Sequence, residues 1–266
     1  MGQRREARDR IKSMEEVYRV GEVLGKGGFG TVYAGVRIAD SLPVAIKHVA
    51  RNKVTEWTEL NGRRVPLELK LLQKVQSVPG VIRLYDFFER RDSFVYILER
   101  PLRSKDLFDH ITDMGALTED MARDFLRSIV NTVIRCHRLG VTHRDIKDEN
   151  ILINPDTLEI RLIDFGCASR EDNCYTTARG TPSYWPIEYF QNGLLSAEAL
   201  TVWSIGAVLY ILLTGNWETD ATGQMRRNFL AERNLNSFTV SLLDRIFCPD
   251  PMSRITMKEI LASGWF

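Results

Sequence analysis

Over its first hundred residues the chain carries short runs of β-branched and aromatic residues separated by glycine or charged turns; afterwards the apolar spacing turns helical. Val17 to Gly25 and Gly30 to Ile38 are two such runs, and the glycine cluster joining them predicts a hairpin. Pro43 to Val49 predicts a third strand. Val81 to Glu89 and Phe94 to Glu99, on either side of Arg90-Arg91-Asp92, predict a fourth and a fifth. Pro66 stands at a helix start, and Glu68, Leu71 and Leu72 share one face of that helix through i, i+3, i+4 spacing. The expectation is a five-stranded antiparallel sheet carrying one main helix and ending at Glu99-Arg100-Pro101.

Beyond Pro101 the pattern is mostly helical. Thr118 is a good N-cap, with Glu119 and Asp120 in the first turn. Ala122, Phe125, Leu126, Ile129, Val130, Val133 and Ile134 then keep helical spacing to about Gly140. Ile151–Ile153 and Ile160–Ile163 predict a short hairpin, and an irregular stretch runs from Cys167 to Glu188. Ser196 to Thr214 is a nearly all-apolar helix, and Thr256 with Glu259 forms a capping box for a last helix to Ser263. The fold class is therefore α+β in two lobes, with a tail over 1–16, a first lobe over 17–101 and a second over 102–266.

Composition narrows the function classes. The 36 basic and 35 acidic residues leave a net charge of +1, which gives no electrostatic reason to expect nucleic acid or an anionic membrane as partner. Arg4 to Arg10 carry interspersed acids and read as a solvated tail. Cys136, Cys167, Cys174 and Cys248 have neither disulfide-framework nor metal-ligand spacing and read as cytosolic thiols. No secretory signal is expected after Met1, and Glu6 spoils an acylation site at Gly2. The apolar run Val202 to Leu213 is too short to span a bilayer and predicts a buried helix.

The chemistry concentrates in His143-Arg144-Asp145-Ile146-Lys147-Asp148-Glu149-Asn150, with Asp164-Phe165-Gly166 one short hairpin later. Two carboxylates, a lysine and an amide in one loop region suit a reaction that holds divalent metal and polyphosphate while orienting a hydroxyl. Oxygen donors of this kind match Mg²⁺. The first hairpin turns through Gly25-Lys26-Gly27-Gly28-Phe29-Gly30, where glycines let backbone N–H groups approach a phosphate. A dinucleotide-binding turn has similar glycines but opens a helix, whereas here β-formers lie on both sides. Val44-Ala45-Ile46-Lys47 places a lysine on the third strand, for which Glu68 is a candidate carboxylate partner.

Together these motifs resemble the protein kinase family over Val17 to Phe266, and Glu99-Arg100-Pro101, Asp92-Ser93-Phe94 and His143 to Leu152 resemble its Pim serine/threonine group. The resemblance implies an ATP:protein phosphotransferase with Mg²⁺, in which Gly25, Gly27, Gly28 and Gly30 roof the phosphates. Leu24, Val32, Ala45 and Leu152 would sandwich adenine, and Lys47, fixed by Glu68, would hold the α- and β-phosphates. Asp145 would be the catalytic base, Lys147 would stabilise the transferring phosphoryl, and Thr181 would bridge those two residues. Asn150 and Asp164 would hold Mg²⁺.

Departures from the family pattern bear on activity. Pro101 lacks the backbone N–H that most kinases offer to adenine, so ATP binding should be weaker, with the Glu99 carbonyl keeping the other contact. Pro186-Ile187-Glu188 replaces Ala-Pro-Glu, with Arg254 available to pair with Glu188, and Thr201 replaces an aspartate that supports the catalytic loop. Thr177-Ala178-Arg179 lies where Pim relatives carry acids; Asp106, Asp109, Asp148 and Glu149 could still meet an arginine-rich substrate, or form a solvated acidic rim. Tyr175, Thr176 and Thr177 are candidate phosphorylation sites with Arg144 as receiver, though the resemblance favours activity without phosphorylation. Cys167 could face an electrophile in the ATP site or simply fill space. The expectation is a monomeric, cytoplasmic and nuclear kinase; the alternative is a pseudokinase scaffold.

Overall fold

The computed structural model describes residues 12–28, 30–170, 175, 177, 179–193, 196–216 and 235–266, so Phe29, Cys174, Thr176, Ala178 and the basic tail lie outside the described residues. Its contacts divide into two units. One joins the described residues up to Thr55 to Arg83–Arg100; the other joins Glu56–Ile82 to Pro101–Phe266.

The first unit is the expected five-stranded antiparallel sheet. Strands β1 (Tyr18–Gly27), β2 (Gly30–Arg37), β3 (Pro43–Ala50), β6 (Leu84–Glu89) and β7 (Ser93–Glu99) are arranged in the order β1-β2-β3-β7-β6. A row of paired residues runs Gly25, Val32, Lys47, Tyr96 across four strands, and a second runs Ala34, Ala45, Leu98. Because side chains alternate between faces, Val32, Ala45 and Lys47 share one face. The other face carries Val44, Ile46, Val95 and Ile97, which pack with Met14 and Tyr18. Met14 belongs to a short helix, α1 (Met14–Val17), closed by a capping box between Ser13 and Glu16. The tail expected over 1–16 is therefore ordered and partly buried at its end.

The helix expected after Pro66 is α2 (Leu67–Val75), with Leu69, Leu71, Leu72 and Val75 buried and Glu68 half-buried. Its contacts place it in the second unit rather than with the sheet. It packs on the turn at Phe165–Cys167, on β12 (Ser169–Arg170) and on an unforeseen hairpin, β4 (Trp57–Leu60) and β5 (Arg63–Pro66). The strand expected over Val81–Glu89 also divides. Val81 bridges Leu162 in the second unit, and only Leu84–Glu89 joins the sheet.

The rest of the second unit is helical around α4 (Glu119–Arg138), capped by Thr118 as expected, and α6 (Ala197–Thr214), capped by Ser196. In α6 every residue but Glu198 is buried, so its apolar composition is that of a core helix packed on all sides. The helix α3 (Leu107–Met114), capped by Asp106, and the helix Ser237–Ile246 were not expected from the spacing. The last helix, Met257–Leu261, keeps its Thr256–Glu259 capping box. Between them, β10 (Ile151–Ile153) pairs with β11 (Ile160–Leu162) and with β8 (Lys105–Asp106).

Candidate active site

In the first unit the glycine turn, Lys47 and the apolar residues beside it occupy one face of the sheet. Val32 and Ala45 are half-buried, Leu24 is exposed, and Lys47 is buried. The glycines are not equivalent. Among the described residues, a Cβ at Gly25, Gly27 or Gly28 would meet no atom within 4 Å, whereas one at Gly30 would lie 2.2 Å from the His48 carbonyl oxygen. Gly30 is thus demanded by close approach of β3, and the other three leave open space of the kind a phosphate chain could fill. Glu99 ends β7, paired with Val44.

The second unit assembles the loop from His143 to Asn150. Asp145 is 9% exposed, and its carboxylate is held at both oxygens. Oδ1 accepts from the Thr181 N–H at 2.9 Å and the Thr181 hydroxyl at 2.8 Å. Oδ2 accepts from Asn150 Nδ2 at 3.0 Å, and the same amide donates to the Asp145 carbonyl at 2.8 Å. Two donors fill Oδ1, so Oδ2 is the oxygen with an acceptor position to spare. Gly180 makes this possible, with φ +94° and an ideal Cβ only 2.3 Å from the Arg144 carbonyl oxygen. His143 sets the entry to the loop. Its Nε2 donates to the Ile163 carbonyl at 2.9 Å and its Nδ1 accepts from the Asp145 N–H at 3.3 Å, which fixes the neutral Nε2–H tautomer.

Thr181 makes its expected contact with Asp145, while Lys147 pairs with Glu149. Burial alone would push the Lys147 ammonium down, but the bond to Glu149 and the charge of Asp145 outweigh it and hold it charged. Asn150 and Asp164 are brought together by β10 and β11: Ile151 faces Leu162, and the Ile163 N–H donates to the Asn150 carbonyl at 2.9 Å. Asp164 adopts a left-handed conformation, φ 57° and ψ 79°, with Oδ1 accepting from the Gly166 N–H at 3.2 Å. With its Nδ2 committed to Asp145, Asn150 presents its side-chain oxygen elsewhere. An amide oxygen and a carboxylate make an all-oxygen donor set that fits Mg²⁺ completed by phosphate and water. Leu152, between them in β10, is half-buried.

The departures from the family pattern resolve differently. Glu188 and Arg254 form a buried bidentate pair at 2.7 and 2.8 Å, and Arg254 also donates to the carbonyls of Cys248 and Ala199. Thr201 turns its hydroxyl onto the Ala197 carbonyl of its own helix, so it does not replace the missing aspartate. A relay the sequence did not reveal supports the loop from the same helix. Ser204 Oγ donates to the Tyr184 carbonyl at 3.2 Å, and the Tyr184 hydroxyl donates to Asp148 at 2.7 Å. Asp148 and Tyr184 are 36 positions apart, and no local spacing signals their pairing.

Two surface expectations need correction, at Asp148 and Tyr175, while Cys167 takes the packing role. Asp148 is 5% exposed, its pKa raised by burial, so it is not part of a solvated rim. With Glu149, Phe108, Ser183, Tyr184 and Asn216 it lines a cavity of about 250 Å³ that also touches Thr181. Tyr175 is 6% exposed and its hydroxyl donates to the Arg170 carbonyl at 3.2 Å, so in this conformation it is not presented at the surface, whereas Thr177 is exposed. Cys167 is buried and its thiol is pushed up to about 11, chiefly by that burial. It fills space. Folded protein treated with iodoacetamide near pH 7.5 should show no adduct at Cys167 by peptide mass mapping, since the thiolate is the reactive form.

A buried carboxylate held by Thr181 and Asn150, with an Asp-Phe-Gly carboxylate placed after Asn150 by a hairpin, matches the arrangement expected of a phosphotransferase. The protein kinase domain family matches residues 18–266, and the chain belongs to that family. It is a serine/threonine protein kinase of the Pim type. The serine/threonine-protein kinase pim-2 of Danio rerio is 38% identical over 97% of this chain and 87% of its own length. The serine/threonine-protein kinase prk-2 of Caenorhabditis elegans is 37% identical over 93% of this chain, which spans 58% of that relative. The carbon catabolite-derepressing protein kinase of Candida albicans is 32% identical over 94% of this chain, which spans 41% of it.

Proposed function

We propose that this kinase, with Mg²⁺, transfers the γ-phosphate of ATP to serine and threonine hydroxyls in arginine- or lysine-rich segments. It acts as a monomer in the cytoplasm and nucleus. The observation that carries the chemistry is the Asp145 carboxylate, whose Oδ1 is filled by Thr181 and whose Oδ2 can take the substrate hydroxyl's hydrogen bond. The hydroxyl donates to Oδ2 and is held for in-line attack, its proton passing to the carboxylate as phosphorus–oxygen bonding develops. Lys147, charged and next to this carboxylate, offsets negative charge on the transferring phosphoryl. Asn150 and Asp164 would hold Mg²⁺, which neutralises charge across the β- and γ-phosphates when bound. In the first unit Lys47 would hold the α- and β-phosphates beneath Gly25, Gly27, Gly28 and Gly30; the family resemblance gives Glu68, which belongs to the second unit, as its partner. Val32, Ala45, Leu24 and Leu152 would enclose the adenine. No observation favours a scaffold without activity, since Lys47, Asp145, Asn150 and Asp164 are all present.

The preference for basic substrates is supported by Asp148 and Glu149 in the cavity beside Thr181, and by Asp106 and Asp109 at the start of α3. An arginine placed there would lie among carboxylates. A peptide library scanned with arginine at each position before the target serine should show kcat/KM at least about tenfold higher for one or two positions. Indifference to arginine at every position would remove the preference. Free thiols at Cys136, Cys167 and Cys248 support a reducing compartment, which imaging of the tagged chain checks.

Pro101 gives a prediction of its own. The missing hinge N–H should weaken ATP binding by about 0.5–1.5 kcal/mol. Pro101→Ala is therefore expected to lower the KM for ATP roughly two- to tenfold with kcat little changed. An unchanged KM leaves the proline as a stiffener of the chain after β7.

A further inference from the structure

Arg144 sits between His143, which fixes the catalytic loop, and Asp145, which carries the chemistry. Its backbone is left-handed, with φ +67°, and its side chain is 7% exposed. A long side chain in that conformation persists only where its surroundings over-determine it. Its surroundings are specific. The guanidinium carbon lies 4.1 Å from the centroid of the Tyr175 ring, and one terminal nitrogen donates to the Thr177 carbonyl. Among the described residues Arg144 makes no ion pair, and its Nε has no hydrogen-bond partner. The nearby Arg179 is already paired with Glu56 at 2.8 Å. Burial, with the neighbouring Arg179 adding to it, disfavours charge on Arg144.

Tyr175 is itself held from three sides. Its hydroxyl donates to the Arg170 carbonyl at the end of β12, it shares a buried cluster with Ala197 and Leu200 of α6, and Trp185 and Tyr189 pack against that cluster. Such a ring presents its negative face to a buried cation from a fixed position, where a cation–π contact is strongest. We propose that Tyr175 is a positioning residue for phosphotransfer: its ring face, in place of an anion, holds the Arg144 guanidinium and so fixes the backbone from which Asp145 projects. The contact keeps Tyr175 registered on the catalytic loop with no phosphate bound to Arg144.

The inference rests on phosphotransfer at Asp145, and its test uses the full chain with a basic serine peptide and ATP. Tyr175→Leu keeps apolar volume and removes the π face, and should lower kcat about tenfold while the KM for ATP stays within about twofold. Tyr175→Phe keeps the ring and should recover most of that loss. In an Arg144→Gln background the leucine substitution should cost less than about twofold, because the partner it acts through is gone. Activities are scaled to the folded fraction from thermal denaturation. Equal losses in the phenylalanine and leucine variants, or an equal leucine loss in both backgrounds, overturn the proposal and leave Tyr175 as packing. A parent no more active than Asp145→Asn would overturn the kinase reading itself, and the proposal with it.

Discussion

Asp145→Asn is expected to lower kcat by about 10²–10⁴-fold, measured as phosphate transfer from labelled ATP to a basic serine peptide. The size follows from the hydrogen bonds around this side chain. An asparagine must direct its amide N–H groups toward Thr181 or toward Asn150. The Thr181 side supplies a backbone N–H that cannot turn away, at 2.9 Å, so the new oxygen stays there and the new NH₂ faces the Asn150 amide across 3.0 Å. Donor then opposes donor at the one position where the substrate hydroxyl needs an acceptor. Proton acceptance is lost and Asn150, a metal-holding candidate, is disturbed at the same stroke. Because the side chain keeps its volume, the variant should fold, with a stability loss of about 1–3 kcal/mol from the mispaired amide. A variant within threefold of the parent in kcat would remove Asp145 from the chemistry.

The second large effect is on stability. Glu188 and Arg254 are 6% and 1% exposed at their side chains, and Arg254 stacks 4.8 Å from the Trp203 ring centroid as well as bonding two carbonyl groups. Removing one member of a buried pair leaves the other as an uncompensated charge, at a cost of about 3–5 kcal/mol. Arg254→Met is expected to reach that range, which for a chain of this size lowers Tm by about 6–20 °C. Glu188→Gln should cost less, because Arg254 keeps the carbonyl groups of Cys248 and Ala199. Replacing both residues by apolar ones of similar volume should recover much of the loss. Denaturation followed by circular dichroism reads all three, and a Tm for Arg254→Met within 2 °C of the parent would contradict the account. The exchange of Ala-Pro for Pro186-Ile187 before Glu188 therefore leaves this anchor intact.

Where the sequence expectation fell short, the cause is particular to each element. The hairpin β4–β5 carries a strong local signal, Asn61-Gly62, both with positive φ, between two short strands. Its flanks are too short and too charged to stand out as β-rich runs. Helix α3 has an N-cap at Asp106 and a glycine with positive φ at Gly115, but only eight residues over which to show a period. The strand expected from Val81 broke because Val81 and Ile82 found partners at Leu162, a pairing set by distant residues. The grouping of α2 with the second unit has the same origin, since its buried leucines face elements about a hundred residues later.

By itself the sequence determined the sheet, the two long helices with the Thr118 cap of the first, and the close spacing of the candidate residues Asp145, Asn150 and Asp164. Those features depend on local periodicity and on spacing within single loops, which a linear pattern preserves. Only the tertiary structure decided which acids are buried, that Tyr184 holds Asp148, that Thr201 bonds its own helix instead of the loop, and that the Tyr175 ring meets the Arg144 guanidinium. Each of these is a choice of partner among groups brought together from across the chain. Desolvation and hydrogen-bond geometry settle such choices after folding, and neither is written in the order of neighbouring residues.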